Sequence, residues 1–147
     1  MKKFFITLAI VSAIFLMSAW LNSANAQNPS SHVITINTQY MIPTDSAGRA
    51  ERTALAKEYF DKVTSKNQYI IHEWNMVHYY TDDSREWVTI DEFATWADID
   101  KANDRFGELE KLAWPDAKAR AAYFAKSDKY YSSHKDAIYH AVEGLSK

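Results

Sequence analysis

Tyr69 to Trp96 (YIIHEWNMVHYYTDDSREWVTIDEFATW) limits the possible folds of this chain more than any other stretch. Two runs rich in Val, Ile, Tyr, Trp and Thr flank a polar break, Thr81-Asp82-Asp83-Ser84, and such residues suit a pleated, buried surface. The pattern predicts a β-hairpin. Side chains alternate faces along a strand. The first run therefore shows Ile70, His72, Trp74, Met76, His78 and Tyr80 on one face, and Tyr69, Ile71, Glu73, Asn75, Val77 and Tyr79 on the other. With a four-residue loop, Tyr80 faces Arg85, His78 faces Trp87, Met76 faces Thr89, Trp74 faces Asp91 and His72 faces Phe93. The other side then pairs Val77 with Val88, Asn75 with Ile90 and Glu73 with Glu92. A slip of one residue exchanges the two faces. Neither face has a solvent-like composition, so the sheet needs two covers. Helices of the same chain supply one, and a partner subunit is the expected second.

The flanking segments extend this to an α+β order. His32 to Ile42 alternates as a first strand, with Ile34, Ile36, Thr38, Tyr40 and Ile42 on one side and Val33, Thr35, Asn37, Gln39 and Met41 on the other. Pro43 ends it, because proline cannot donate to a ladder. Asp45 or Ser46 caps a helix expected to run to about Thr64, with Leu55, Tyr59, Phe60 and Val63 on its apolar stripe. Lys66-Asn67-Gln68 turns the chain into the hairpin. A second helix starts near Ala97-Asp98 and carries Ile99, Ala102, Phe106, Leu109 and Leu112 at helical spacing. Trp114 precedes Pro115 and is disfavoured as helix. Pro115 and Asp116 open a third helix expected to reach about Tyr130. Ser132 and Ser133 interrupt the pattern. Lys135 to Leu145 reads as a last strand by the alternation of Ile138, His140 and Val142, although its composition also permits a helix.

The first 26 residues carry a targeting signature. Lys2 and Lys3 precede an apolar run from Phe4 to Leu21, and Ala24-Asn25-Ala26 supplies a small-x-small cleavage site before Gln27. This predicts a secretory signal peptide, hence a periplasmic or secreted protein with no membrane attachment after cleavage. A retained anchor is the alternative, since the run is of borderline spanning length. Gln27 to Ser31 is an expected disordered lead, and residues 32–147 an expected single domain. Cleavage removes Lys2 and Lys3, so the net charge moves from −2 to about −4. That balance argues against a nucleic-acid partner. Without cysteine the chain must hold itself by packing.

The β-α-β-β-α-β order, with VITINTQYMIP, WVTIDEF and HKDAIYHAV, resembles the ferredoxin-like dimeric α/β-barrel superfamily. That group includes antibiotic-biosynthesis-monooxygenase-like, EthD-like and NIPSNAP-like proteins. The resemblance spans about Val33 to Leu145. It implies an antiparallel sheet that pairs with a second copy into a barrel, a homodimer, and a small apolar or aromatic ligand held between sheet and helices. The helix after Pro115 and the signal sequence depart from the minimal pattern, and a shared fold does not establish a shared activity.

Several residues carry candidate chemistry. In the assumed register Trp74 faces Asp91 and His72 lies diagonal to it, so Asp91 can orient the imidazole for proton transfer behind an aromatic wall. His72 and Asp91 are thus the candidate catalytic pair, with Trp74, His78, Trp87 and Phe93 as candidate ligand contacts. The bland alternative is a hydrogen bond of structural purpose. His72 and His78 lie roughly 20 Å apart along a strand and cannot chelate one metal; either alone can act as a base or a haem ligand. No metal site is expected, and no cofactor beyond the haem option. Glu73 facing Glu92 would place two carboxyls at close range, raising one and allowing a shared proton. His134 is read either as a pocket residue or as a cation at a helix C-terminus. The chain has no GxSxG, no Gly-rich phosphate loop, no HExxH and no cysteine-based metal spacing. Three readings remain: an exported small-molecule-binding protein, a cofactor-independent or haem-linked monooxygenase or isomerase, and a non-catalytic interaction protein.

Overall fold

The computed structural model describes residues 32–142, 144 and 145. The expected signal peptide and polar lead lie outside the described residues. Strand β1 (Val33–Met41) is followed by helix α1 (Ser46–Lys62) and a single 3-10 turn (Thr64–Lys66). Strands β2 (His72–Val77) and β3 (Glu86–Phe93) form the hairpin. Helices α2 (Trp96–Ala113) and α3 (Ala117–Asp128) then lead to β4 (Tyr131–His140). The sheet order is β2-β3-β1-β4 with every neighbouring pair antiparallel, which is the ferredoxin-like α+β arrangement.

Local chemistry explains the boundaries. Asp45 caps α1 by accepting from the Gly48 amide at 2.8 Å, and Asp116 caps α3 by accepting from the Ala119 amide at 2.7 Å. Asn67 is buried and fixes the turn into the hairpin, with its side-chain amide donating to the Ala102 carbonyl at 3.0 Å. Strand β4 begins four residues before the expected start at Lys135 and ends at His140, five residues before the expected end at Leu145. Ser132 and Ser133 are part of it, and the Ser132 hydroxyl donates to the Tyr40 carbonyl at 3.1 Å. A register irregularity between Tyr40 and Met41 accommodates the entry of β4, and polar residues on both faces suit its position at the sheet edge.

The hairpin register is one residue from the expected one. His72 pairs with Glu92, Glu73 with Asp91, Trp74 with Ile90, Asn75 with Thr89, Met76 with Val88 and Val77 with Trp87. The loop is wider than four residues because local contacts build it. The Thr81 amide donates to His78 Nδ1 at 3.2 Å, and the Asp83 carboxylate takes both the amide and the guanidinium of Arg85. A change of one residue in loop parity swaps the faces of β2 relative to β3.

The helices cover one face. Val33 and Phe93 are packed against Ala102 of α2, and Leu55, Val63, Leu109, Trp114, Tyr123 and Tyr130 form the larger apolar cluster among the helices. Beneath the helices the middle of the sheet is polar. One row runs Glu73, Asp91, Thr35, Ile138 across the four strands, and the next runs Asn75, Thr89, Asn37, Asp136. The opposite face carries the row Trp74, Ile90, Ile36, Ala137, with Ile34, Val88 and Met76 beside it. No described element covers that face: Trp74 is 46% and Met76 43% exposed.

Candidate functional site

A cleft of about 420 Å³ lies between the polar half of the sheet and the helices. Its position follows from the phase of the strands, since β1, β2 and β3 turn short polar side chains toward the helices where aliphatic ones would have closed the space. The floor is Asn37, Gln39, Glu73, Asn75, Thr89 and Asp91, with Trp87 beside them. The roof is aromatic: Tyr59 and Phe60 from α1, Phe106 from α2, Tyr123 and Phe124 from α3, and Tyr131 at the start of β4.

The roof is held rigid from behind. Trp114 stacks on Tyr123 with ring centroids 4.1 Å apart, and Phe124 meets Tyr123 edge-on at 5.4 Å. The Tyr123 hydroxyl donates to the Leu55 carbonyl at 2.8 Å, and the Tyr59 hydroxyl donates to Glu110 at 2.8 Å. Burial, reinforced by the Glu110 carboxylate, pushes the Tyr59 phenol far above its ordinary range, so it stays protonated.

The floor is a connected polar network. Asn75 Oδ1 accepts from the Trp87 indole at 3.1 Å and from the Thr89 hydroxyl at 2.8 Å, while its amide donates to Glu73. Asp91 Oδ2 accepts from the Thr35 hydroxyl at 3.5 Å, and Asp91 Oδ1 is buried with no hydrogen-bond partner among the described residues. Burial, followed by the charge of the facing Glu73, pushes the Asp91 carboxyl up to about 7. Burial also raises Glu73, against the opposing hydrogen bond from Asn75. Two carboxyls in one poorly solvated site cannot both ionise cheaply, so near neutrality the pair holds a proton.

The structure separates the residues singled out from sequence. Asp91 and Trp87 line the cleft. His72 and Trp74 lie on the opposite face of the sheet, so His72 cannot orient on Asp91. Instead His72 Nδ1 bonds Glu92 Oε2 at 2.6 Å, and His32 bonds the other oxygen of the same carboxylate. His78 sits in the hairpin loop against Thr81, and Phe93 is in the core with Val33. The close carboxyl pair does exist, but its second member is Asp91, not Glu92. His134 lies in edge strand β4 beside Asp136 at 3.2 Å, not at a helix terminus. Asn37, Asn75 and the helix phenylalanines were not legible as a site; their one signal was the run of polar side chains on the Val33–Met41 side of β1. The abundance of tyrosines, Tyr123 and Tyr131 among them, did favour an aromatic-lined cavity or a large interface.

No histidine lines the cleft, so a haem held by His72 or His78 does not fit there. Among the described residues no group of three His, Asp or Glu is placed to hold a metal ion, and no helix is long and apolar enough to cross a membrane.

No known family model matches the chain, and no curated protein matches it significantly. Solved structures do. A candidate antibiotic biosynthesis monooxygenase from Caulobacter crescentus CB15 aligns with a TM-score of 0.51 at 11% identity, over 78% of this chain and 93% of that one. A conserved protein from Methanosarcina mazei Go1 aligns with a TM-score of 0.51 at 13% identity, over 76% and 93%. A dabb family protein with a ferredoxin-like fold from Mesorhizobium loti aligns with a TM-score of 0.50 at 12% identity, over 74% and 95%. At such identities the likeness establishes the architecture alone: this chain has the ferredoxin-like α+β fold.

Proposed function

We propose that this chain is an exported protein that binds a small, largely aromatic molecule in the cleft between sheet and helices, and that it works as a homodimer through the uncovered face of the sheet. The observation that carries the binding reading is the cleft itself: a rigid aromatic roof over a hydrogen-bonded polar floor, the composition of small-molecule sites. The apolar row Trp74, Ile90, Ile36, Ala137 supports the homodimer, because a second copy would cover it with the same row. The apolar run Phe4–Leu21 and the Ala24-Asn25-Ala26 site support export.

Native mass spectrometry of the protein purified from its own source tests both halves. A dimer carrying a discrete extra mass supports them. A monomer removes the second cover, and a ligand-free protein that also binds nothing from a panel of small aromatics removes the binding reading.

A second reading has its own support. A carboxyl that titrates near 7 is matched to general acid–base work at neutral pH, which suits a cofactor-independent monooxygenase or isomerase acting on a bound aromatic substrate. In that reading Asp91 moves the proton, Glu73 tunes it, and Trp87 and the roof exclude water. Loss of turnover in Asp91→Asn with binding retained would separate this from binding alone.

A further inference from the structure

The cleft's charge is one-sided. Its lining contains three carboxyls, Glu73, Asp91 and Asp128, and no lysine, arginine or histidine. Six aromatic side chains of the roof present their faces or edges to the same volume. We propose that the cleft selects an organic cation, an aromatic or alkyl amine in its protonated form, over a neutral or anionic molecule of the same shape. This deepens the binding reading above and rests on it.

Three features carry the inference. First, aromatic faces attract ammonium groups, and the attraction grows where water is excluded. Second, Glu73 and Asp91 face each other across the ladder in the cleft floor, so two carboxyls stand where at most one is comfortably ionised without a cation. A protonated amine brings up to three donors and a positive charge to that pair, and the proton the pair holds can then leave to solvent. Third, an anion would enter a site with two facing carboxyls and no cation to meet it, and burying an unpaired charge is costly. Exclusion of the anion is therefore built into the same residues as attraction of the cation.

The surrounding charges do not cancel this bias. From α1, Tyr59 faces the floor as a neutral phenol. Lys57 stands only at the outer extension of the cleft, held by Asp61 at 2.5 Å. Glu110 of α2 reaches the site only through the Tyr59 hydroxyl. Helix α3 contributes Tyr123 and Asp128; β4 contributes Tyr131, and its Asp136 accepts from the floor residue Asn37 at 2.6 Å while standing 3.2 Å from His134. Arg52 is buried and acts on Tyr131, but it does not line the cleft. Strand β1 brings only the uncharged Thr35, Asn37 and Gln39.

The test compares three soluble probes with one phenyl frame: phenethylamine, 2-phenylethanol and phenylacetate, titrated calorimetrically into the full mature protein. At pH 8 the amine should bind at least about tenfold tighter than the alcohol and the acid more weakly still. Amine affinity should rise as pH goes from 6 to 8, with proton release shown by heats that depend on the buffer. In Asp91→Asn and in Glu73→Gln, each checked for folding by circular dichroism, the amine-to-alcohol preference should fall about tenfold. Alcohol or acid binding as tightly as the amine overturns the charge selection and leaves the aromatic cleft reading standing. Failure of all three probes to bind overturns both.

Discussion

Glu73 and Asp91 are direct partners across the β2–β3 ladder, and both carboxyls open into the cleft under the helices. The Asp91 carboxyl rises from its ordinary 3.8 to about 7, so the folded protein binds a proton more tightly there than the unfolded chain does. The sign follows: this proton stabilises the fold relative to high pH, and stability falls as pH rises from about 4 to about 7, then levels. Asp91→Asn removes the cost of ionising a buried acid. We expect the variant to be more stable than wild type by roughly 1–3 kcal/mol at pH 8 and indistinguishable near pH 4, read from urea unfolding at both values.

His72 stands on the other side of the sheet, hydrogen-bonded to Glu92 and 60% exposed. His72→Ala should leave the affinity of the cleft for an aromatic amine within about twofold of wild type. A tenfold loss in the same calorimetric titration would show that the two faces communicate and that the assignment of the cleft is incomplete.

Trp114 supports the roof without lining the cleft. It is buried, stacks on Tyr123 and lies 6.3 Å from Tyr59 between ring centroids. Trp114→Ala should cost about 3–5 kcal/mol of stability. Trp114→Phe keeps an aromatic ring and should recover most of the fold while weakening amine binding, because Tyr123 loses part of its stacking surface. Equal binding by Trp114→Phe and wild type would show that the roof is fixed by other contacts.

Ile36 sits at the middle of the apolar row between Ile90 and Ala137. A lysine there would place a charge at the centre of a face that needs a cover. Ile36→Lys should convert a dimer to a monomer in sedimentation velocity, with circular dichroism unchanged. A wild-type protein that sediments as a monomer at micromolar concentration would remove the homodimer.

Glu51 ties α1 to the α3–β4 junction through Lys126 at 2.6 Å, Lys129 at 2.9 Å and the Tyr130 hydroxyl. The hydrogen bonds from Lys126, Tyr130 and Lys129 hold its carboxyl down at about 2, below the ordinary 4.5. A lowered acid contributes stability above about pH 4.5 that is lost as pH falls toward 2. Glu51→Gln should therefore melt lower than wild type at pH 7, with the gap closing by pH 2. Because the group is solvent-accessible, added salt should also narrow the gap at pH 7.

The element order and the turn at Asn67 were legible in the sequence because each rests on local chemistry; Asp45 was one of two candidate caps, and Asp116, expected inside the first turn, is the cap itself. The hairpin register was not legible. It depends on loop parity, and the loop is set by the contacts of His78, Thr81, Asp83 and Arg85, which spacing does not reveal. That one residue placed His72 with Asp91 on paper and separated them in the fold. Strand β4 was misplaced at its start for a related reason: Ser132 and Ser133 are poor strand formers, tolerated at an edge where one side of the ladder is open. Alternation separated the two faces of β1 correctly, Ile34, Ile36 and Thr38 on one and Thr35, Asn37 and Gln39 on the other. What alternation cannot say is which of them meets the helices, and the usual preference for apolar inside would have chosen the other.

The polar rows beneath the helices also govern how anything gets in. A core lined with leucine would have to loosen its packing to admit a guest, and the rate of that loosening would limit exchange. Here Asn37, Asn75, Thr89 and the two carboxyls cannot be sealed dry without stripping amides and acids of water, at a cost of a few kcal/mol for each unpaired group. A guest that carries donors and acceptors of its own can meet these groups without any loosening of the aliphatic core. Entry to such a chamber is not limited by the breathing of a close-packed core.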